Sequence, residues 1–240
     1  MHTLYDPTRN RLLAALPECD LARLRPHLEL VHLGLGDVLR VAEQQPAHVL
    51  FPITCIVSIV YTLEDAGVPD IAVVGNEGVI GFPLFMGDGI AHSHTVVQHP
   101  GEAYRVAESV LQQEFYRARV LQQILLRYAQ TLLAQTARTP ICNRYHTMEQ
   151  RLARWVLLIL DRVPTRVVRM TQELIGEVLN TRRRDITSAA HRLHEAGTIT
   201  YRRGHISVTD RSGLENYTCE CYEVVRREYE RLLNALRYVQ

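Results

Sequence analysis

Between Thr171 and Arg203 the chain reads TQELIGEVLNTRRRDITSAAHRLHEAGTITYRR, two runs of helical periodicity separated by residues that end one helix and start another. Leu174, Ile175, Val178 and Leu179 fall on one stripe, and Ile186, Ala189, Ala190 and Leu193 on a second, so each run has a single core-facing side. Asn180 tolerates the left-handed conformation that closes a helix, and Thr181 is suited to N-cap the next, which leaves a turn of about three residues. Gly176 lacks the side chain that would obstruct a close crossing at such a turn, and Gly197 ends the second helix. From Thr198 to Thr209 apolar and polar residues alternate around Arg203-Gly204, which predicts a hairpin with Ile199, Tyr201, Ile206 and Val208 facing inward. The pattern is that of a helix-turn-helix followed by a wing.

A pair of helices in an all-helical core is the commoner origin of such spacing, and charge separates the two cases. The second helix opens with Arg182, Arg183 and Arg184, where a helix entering a major groove sets side chains against phosphates and guanine edges. At 100° per residue from Ile186, Arg184, Thr187, Ser188 and His191 share the outward face, and all four carry hydrogen-bonding groups. Arg202 and Arg203 at the wing tip are placed for phosphates. Residues 1–137 hold 9 Arg against 14 acids, and residues 138–240 hold 18 Arg against 12, so the net charge of +1 hides a basic C-terminal half. All 27 basic residues are Arg, a bias to which no function is assigned.

The 240 residues allow two domains with cores of their own. Residues 11–29 read as a short helical start. Leu30 to Val106 then alternates β-rich runs (Val49–Phe51, Ile56–Leu63, Ile71–Val74, Thr95–Val97, Ala103–Val106) with turn residues, which predicts an antiparallel barrel or sandwich. A helix is expected over Glu108 to Thr139, ended or kinked by Pro140. Its Leu121, Leu125, Tyr128 and Leu132 repeat at heptad spacing and form the expected dimerisation seam, the other reading being a helix packed only on its own barrel. Met148 to Leu160 is a second apolar helix, leading through Pro164 into the helix-turn-helix. The expected fold is α+β: a β-barrel sensor domain at 1–107, a dimerisation helix and hinge at 108–143, and a winged helix-turn-helix domain at 144–240.

This order of parts resembles the Crp/Fnr superfamily of bacterial transcription regulators over nearly the whole chain. The best-matching blocks are QRLARWVLLILDR at 150–162, MTQELIGEVLNTRRRDITSAAHRLHEAGTI at 170–199 and YRRGHISVTD at 201–210; GNEGVIGFPLF at 75–85 looks like the turn where the family's cyclic-nucleotide-binding jelly rolls hold the phosphate. The resemblance implies a cytoplasmic homodimer on a palindromic operator, with double-stranded DNA, a second copy of the chain and RNA polymerase as partners and no membrane. In the cyclic-AMP-receptor branch an Arg, a Glu and an Arg read bases; the matching positions are Arg183, Arg184 and Ser188, of which only the first keeps its residue. The family's phosphate contacts fall on Thr171 and Gln172.

The sensor departs further. Cyclic-nucleotide binders resemble one another in a Gly-Glu pair for the ribose and an Arg-Ser/Thr pair for the phosphate, whereas Phe82 and Pro83 follow Gly81 here, and no Arg or Lys stands between Arg40 and Arg105. A buried anion without a paired cation is strongly disfavoured, and His92 and His94 near the Arg position are weak substitutes. Cyclic AMP binding is therefore not expected. Cys19 alone cannot hold the iron–sulfur cluster of the oxygen-sensing branch, and no motif marks an axial haem ligand among the 11 His. Cys219-Glu-Cys221 lacks a neighbouring Cys or His pair in sequence and reads as two ordinary reduced thiols. No cofactor or metal is expected, and cofactor-binding residues are not identified. The odd cysteine count and the lack of a signal or spanning segment fit a reduced cytoplasm. No nucleophile triad, P-loop or GxGxxG occurs, so an enzyme is not expected. The alternative is a barrel-based binding or scaffold protein whose winged helix contacts protein, a role that does not need three outward cations at a helix start.

Overall fold

A computed structural model describes residues 6–42, 47–61, 70–86, 92–163, 165, 167–202 and 204–237. After two short helices, α1 (Arg11–Ala14) and α2 (Glu18–Leu24), the described residues form seven strands before the long helices: β1 (Glu29–Leu33), β2 (Val38–Arg40), β3 (His48–Pro52), β4 (Ile56–Val60), β5 (Asp70–Val74), β6 (His94–His99) and β7 (Gly101–Ala107). Asn10 fastens the start to this body. Its Oδ1 caps α1 by accepting from the Leu12 and Leu13 amides, while its Nδ2 donates to Pro52 O and Gly78 O, both at 2.9 Å, so a fully buried amide has every group engaged.

The strands make two antiparallel sheets, in the orders β1-β7-β3 and β2-β6-β4-β5. Every residue of β4 is buried, with Ile56 set opposite His99 and Ile59 opposite Thr95 across the β4–β6 ladder. Among the described residues the sheets are open, where a closed barrel was one expectation. The β5 edge is covered by a helix rather than paired with a strand: Gln135 Nε2 donates to Val73 O at 3.0 Å and Thr139 Oγ1 to Ile71 O at 2.9 Å. The strand-rich runs read from sequence coincide with β3 to β7; Leu63, Pro164 and Arg203 lie outside the described residues.

The single helix expected over 108–139 is two, α3 (Glu108–Arg117) and α4 (Arg119–Tyr145), parted at Ala118, whose extended backbone (φ −102°, ψ 101°) lets its methyl be buried. The α4 helix also continues through Pro140 to Tyr145 instead of ending there. The expected dimer seam is corrected as well. Leu121, Leu125 and Leu132 are 2% exposed and Tyr128 is wholly buried, all inside the chain's own core, with Tyr128 packed so closely on Gly78 that a Cβ there would lie 2.6 Å from its hydroxyl. What α4 leaves in solvent is the adjacent face carrying Leu126, Leu133, Ala137 and Ile141.

The C-terminal half begins with α5 (Met148–Leu160), whose Thr147–Gln150 capping box satisfies the Thr147 and Gln150 amides reciprocally. Then come β8 (Val167–Arg169), α6 (Gln172–Val178), α7 (Arg183–Glu195), β9 (Ile199–Arg202), β10 (His205–Val208), α8 (Arg211–Asn216) and α9 (Glu220–Arg237). The wing is a three-stranded sheet, β8-β10-β9, one strand more than the sequence suggested, because three residues are too short to show a period. α9 returns along α4, burying Cys221, Tyr222, Val225, Tyr229 and Leu232 at helical spacing. No helix among the described residues is long and apolar enough to cross a membrane.

Candidate nucleic-acid interface

The α6–turn–α7 unit has the geometry its sequence predicts. Ile175, Ile186, Ala189 and Leu193 are fully buried, and burying an aliphatic side chain such as Ile or Leu contributes about 1.5–3 kcal/mol, so α7 is held firmly by its inner stripe. Asn180 adopts φ 46°, the left-handed closure expected of it. A Cβ on Gly176 would approach Thr181 O to 2.9 Å, which is why the helices cross this closely only with glycine there. Gly197 closes α7 at φ 72°. The N-cap is Arg182 rather than Thr181, whose hydroxyl instead donates to Asp185 Oδ2 at 3.3 Å.

On the outer face Thr171, Arg182, Arg183, Arg184, Thr187, Ser188 and His191 are exposed, and Arg202 is exposed on the wing. Several already have partners. Thr187 Oγ1 donates to Gln172 Oε1 at 2.8 Å, joining the half-buried start of α6 to the middle of α7; Ser188 Oγ accepts from Arg192; His191 lies 3.2 Å from Glu195. Arg183 Nη1 meets Glu173 Oε1 at 2.6 Å, both side chains more than half exposed. Sequence periodicity missed Glu173 because the pair bridges two helices. It also missed Arg169, exposed on β8 and in register with His205 of β10, since only the sheet places it beside the wing. Arg192, itself exposed, forms an ion pair with Glu149, so α7 is tied to the first turn of α5.

The turn at 75–85 is occupied by internal bonds. Glu77 points inward, 3% exposed, and its Oε1 is 2.7 Å from Arg162 Nε, at the end of α5. Arg162 also donates to Leu158 O (2.6 Å) and Gln135 Oε1 (2.9 Å) and lies over the Tyr229 ring at 4.8 Å. Burial opposes the charge on Arg162, but Glu77 above all, and Tyr229, outweigh it and raise its pKa. Beyond Ile80 the chain turns at Gly81 (φ 107°) into the apolar single turn Phe82–Phe85, where Phe85 stacks on Phe115. His94 Nδ1 accepts from the Ala42 amide.

Sequence proximity did not show the neighbours of one cysteine pair. Cys219 and Cys221 do have a Cys and a His beside them: Cys142 and His146, 77 and 75 residues away in the chain and brought in by α9 lying against the end of α4.

A double β-sheet body and a winged helix-turn-helix unit are joined by a long helix. Residues 150–217 match the Crp-like helix-turn-helix domain family. The fold of the chain is similar to that of FixK2 from Bradyrhizobium japonicum (15% identity, TM-score 0.67, covering 80% of this chain and 98% of that one). It is similar also to the c-di-GMP responsive global regulator CLP of Xanthomonas campestris (16%, 0.61, 80% and 99%) and to a CRP/FNR-family transcriptional regulator of Thermus thermophilus (17%, 0.60, 79% and 97%). Comparison with curated proteins finds no match by sequence. Residues 150–217 thus form a Crp-like helix-turn-helix domain, and the chain shares the overall fold of these regulators.

Proposed function

We propose that the chain is a sequence-specific, DNA-binding transcription regulator that works as a homodimer on a two-fold-symmetric operator. The observation that carries this reading is the outer face of α7, where Arg182, Arg183, Arg184, Thr187, Ser188 and His191 stand exposed over a buried stripe that fixes the helix in the winged unit. Thr171, Gln172, Arg202 and Arg203 supply the phosphate contacts that set its register. The division of labour is a sensor at 1–107, a coupling helix and hinge at 108–143 and a DNA-binding domain at 144–240, with RNA polymerase the partner through which binding acts. The second copy packs on the solvent face of α4: Leu126 and Leu133 are 49% and 57% exposed seven residues apart, and two copies of that stripe remove both from water.

Selecting bound duplexes from a random pool and sequencing them tests the reading. Enrichment of inverted half-sites about one helical turn apart is the expected result; no enrichment over input defeats it. The sensor does not take cyclic AMP or cyclic GMP in this reading, because the one carboxylate in the 75–85 turn is bound to Arg162 and no Arg or Lys stands between residues 41 and 104 to meet a phosphate. Calorimetry with either nucleotide should show no heat of binding and no gain in operator affinity. Micromolar binding coupled to tighter DNA binding is the contrary outcome.

A further inference from the structure

Four side chains with metal-ligand chemistry converge where α4 ends and α9 begins. Cys142 and His146 lie one helical turn apart at the C-terminal end of α4, and Cys219 and Cys221 flank Glu220 at the first turn of α9. Their donor atoms all fall within 4.8 Å of one another. Cys142 Sγ to Cys219 Sγ is 3.6 Å, and Cys221 Sγ to His146 Nδ1 is 3.7 Å. Zinc holds thiolate sulfur at about 2.3 Å and imidazole nitrogen at about 2.0–2.1 Å, so the edges of its coordination tetrahedron are about 3.5–3.8 Å. Both separations fall on that edge. They are too long for a disulfide, whose sulfurs are about 2.05 Å apart. An iron–sulfur cluster spreads its ligands over two or more irons and needs a wider cage.

The surroundings fit a bound cation. Cys142 and Cys221 are fully buried and Cys219 is 6% exposed, in a cluster separate from the main apolar core. His146 turns Nδ1 toward the sulfurs and Nε2 toward Glu220, 3.3 Å away, so its second nitrogen is held by a carboxylate in the manner of metal-ligating histidines. Three thiolates, one neutral imidazole and a dication sum to a single negative charge. Arg154 is a buried cation, 5% exposed, with an unpartnered Nε and no carboxylate in ion-pair contact among the described residues. Its Nη2 donates to Thr139 Oγ1 at 3.3 Å, three residues before Cys142 on α4. An anionic metal centre supplies the countercharge that Arg154 otherwise lacks.

We propose that Cys142, His146, Cys219 and Cys221 bind one zinc ion in a closed tetrahedral site that ties the end of α4 to the start of α9. All four positions are filled by protein ligands, which makes the site structural, with no place for substrate. Cys142 and His146 immediately precede α5, so the ion braces the joint at which the coupling helix passes into the DNA-binding half.

Metal analysis of the full-length protein, purified reduced and without chelator, should find about one zinc per chain. Cys142→Ser and Cys219→Ser should each lose it, and Cys19→Ser, an exposed thiol elsewhere, should retain it. Because a buried Cys→Ser change can unfold the chain, the wild type provides a second measurement. Stripped with chelator and refilled with cobalt(II), it should show the visible bands of a tetrahedral ion and thiolate-to-cobalt charge transfer. Amide exchange at 142–147 and 219–222 should quicken when the metal is removed while β4 stays protected. The proposal is overturned by any of three results: reduced protein that carries no zinc and gives no cobalt bands, native protein with Cys142 and Cys219 joined as a disulfide, or iron and sulfide in cluster stoichiometry.

Discussion

Arg183 and Arg202 are both exposed cations near the winged helix, yet their positions give them different work. Arg183 opens the helix whose outer face would enter the groove, and a bidentate Arg–guanine contact is worth about 1–3 kcal/mol of discrimination. Its ion pair with Glu173 joins two solvent-exposed groups and is worth about 0.2–1 kcal/mol, so exchanging it for a base edge costs little. Arg183→Ala should therefore relax preference at one position in each half-site. Arg202→Ala should weaken all sequences alike and lower the salt slope by about 0.9 for each phosphate left without its cation, an effect doubled in a dimer. Titrations of the selected operator, its single-base variants and unrelated DNA at several salt concentrations separate the two. Uniform loss for Arg183→Ala with altered base preference for Arg202→Ala reverses the placement of helix and wing.

Among the elements, α4 shows how one period serves two faces. Leu121, Leu125, Tyr128 and Leu132 repeat at four and three residues, and so do Leu126, Gln130, Leu133 and Ala137 one step round the helix. The first set is buried in the chain's own core and the second lies toward solvent. Replacing Leu126 and Leu133 together with Glu should give folded monomers by light scattering, with an unchanged circular dichroism spectrum. Replacing Leu125 and Leu132 in the same way should instead unfold the protein, since truncating even one buried Leu to Ala costs about 2–5 kcal/mol and a buried carboxylate costs more. A folded monomer from the second pair would return the interface to the seam expected from sequence. Periodicity made the helix legible. Which apolar stripe met its own sheet depended on where β5 and Gly78 stood, and no local spacing encodes that.

Across the whole molecule, the Glu77–Arg162 pair joins the 75–85 turn to the end of α5, with Gln135 of α4 and Tyr229 of α9 completing the cluster. Four segments distant in sequence thus share one buried charge pair. Removing one member of a buried pair leaves the other uncompensated, at a cost of about 3–5 kcal/mol. Glu77→Gln should lower the melting temperature by about 10 °C in a chain of this size. Adding Arg162→Met should recover much of that loss, because no charge is then left buried. Calorimetry of the two single variants and the double variant measures the coupling. Additive losses would mean that the pair does not link the two halves.

The sequence by itself determined the strongly periodic elements and the chemistry carried on a single element, but not the break at Ala118 or the three-residue strand β8. The two stripes of the helix-turn-helix, the left-handed Asn180, the close approach at Gly176 and the outward arginines are legible because each follows from spacing of a few residues and from local backbone rules. Tertiary structure alone decided what depends on segments meeting: two open sheets with a helix along one edge, the buried face of α4, the inward turn of Glu77 onto Arg162, and the convergence of Cys142 and His146 on Cys219 and Cys221. Charge pairs and donor sets form across distances of many tens of residues, and their energies depend on the geometry of packing, which hydrophobic periodicity constrains only in sum.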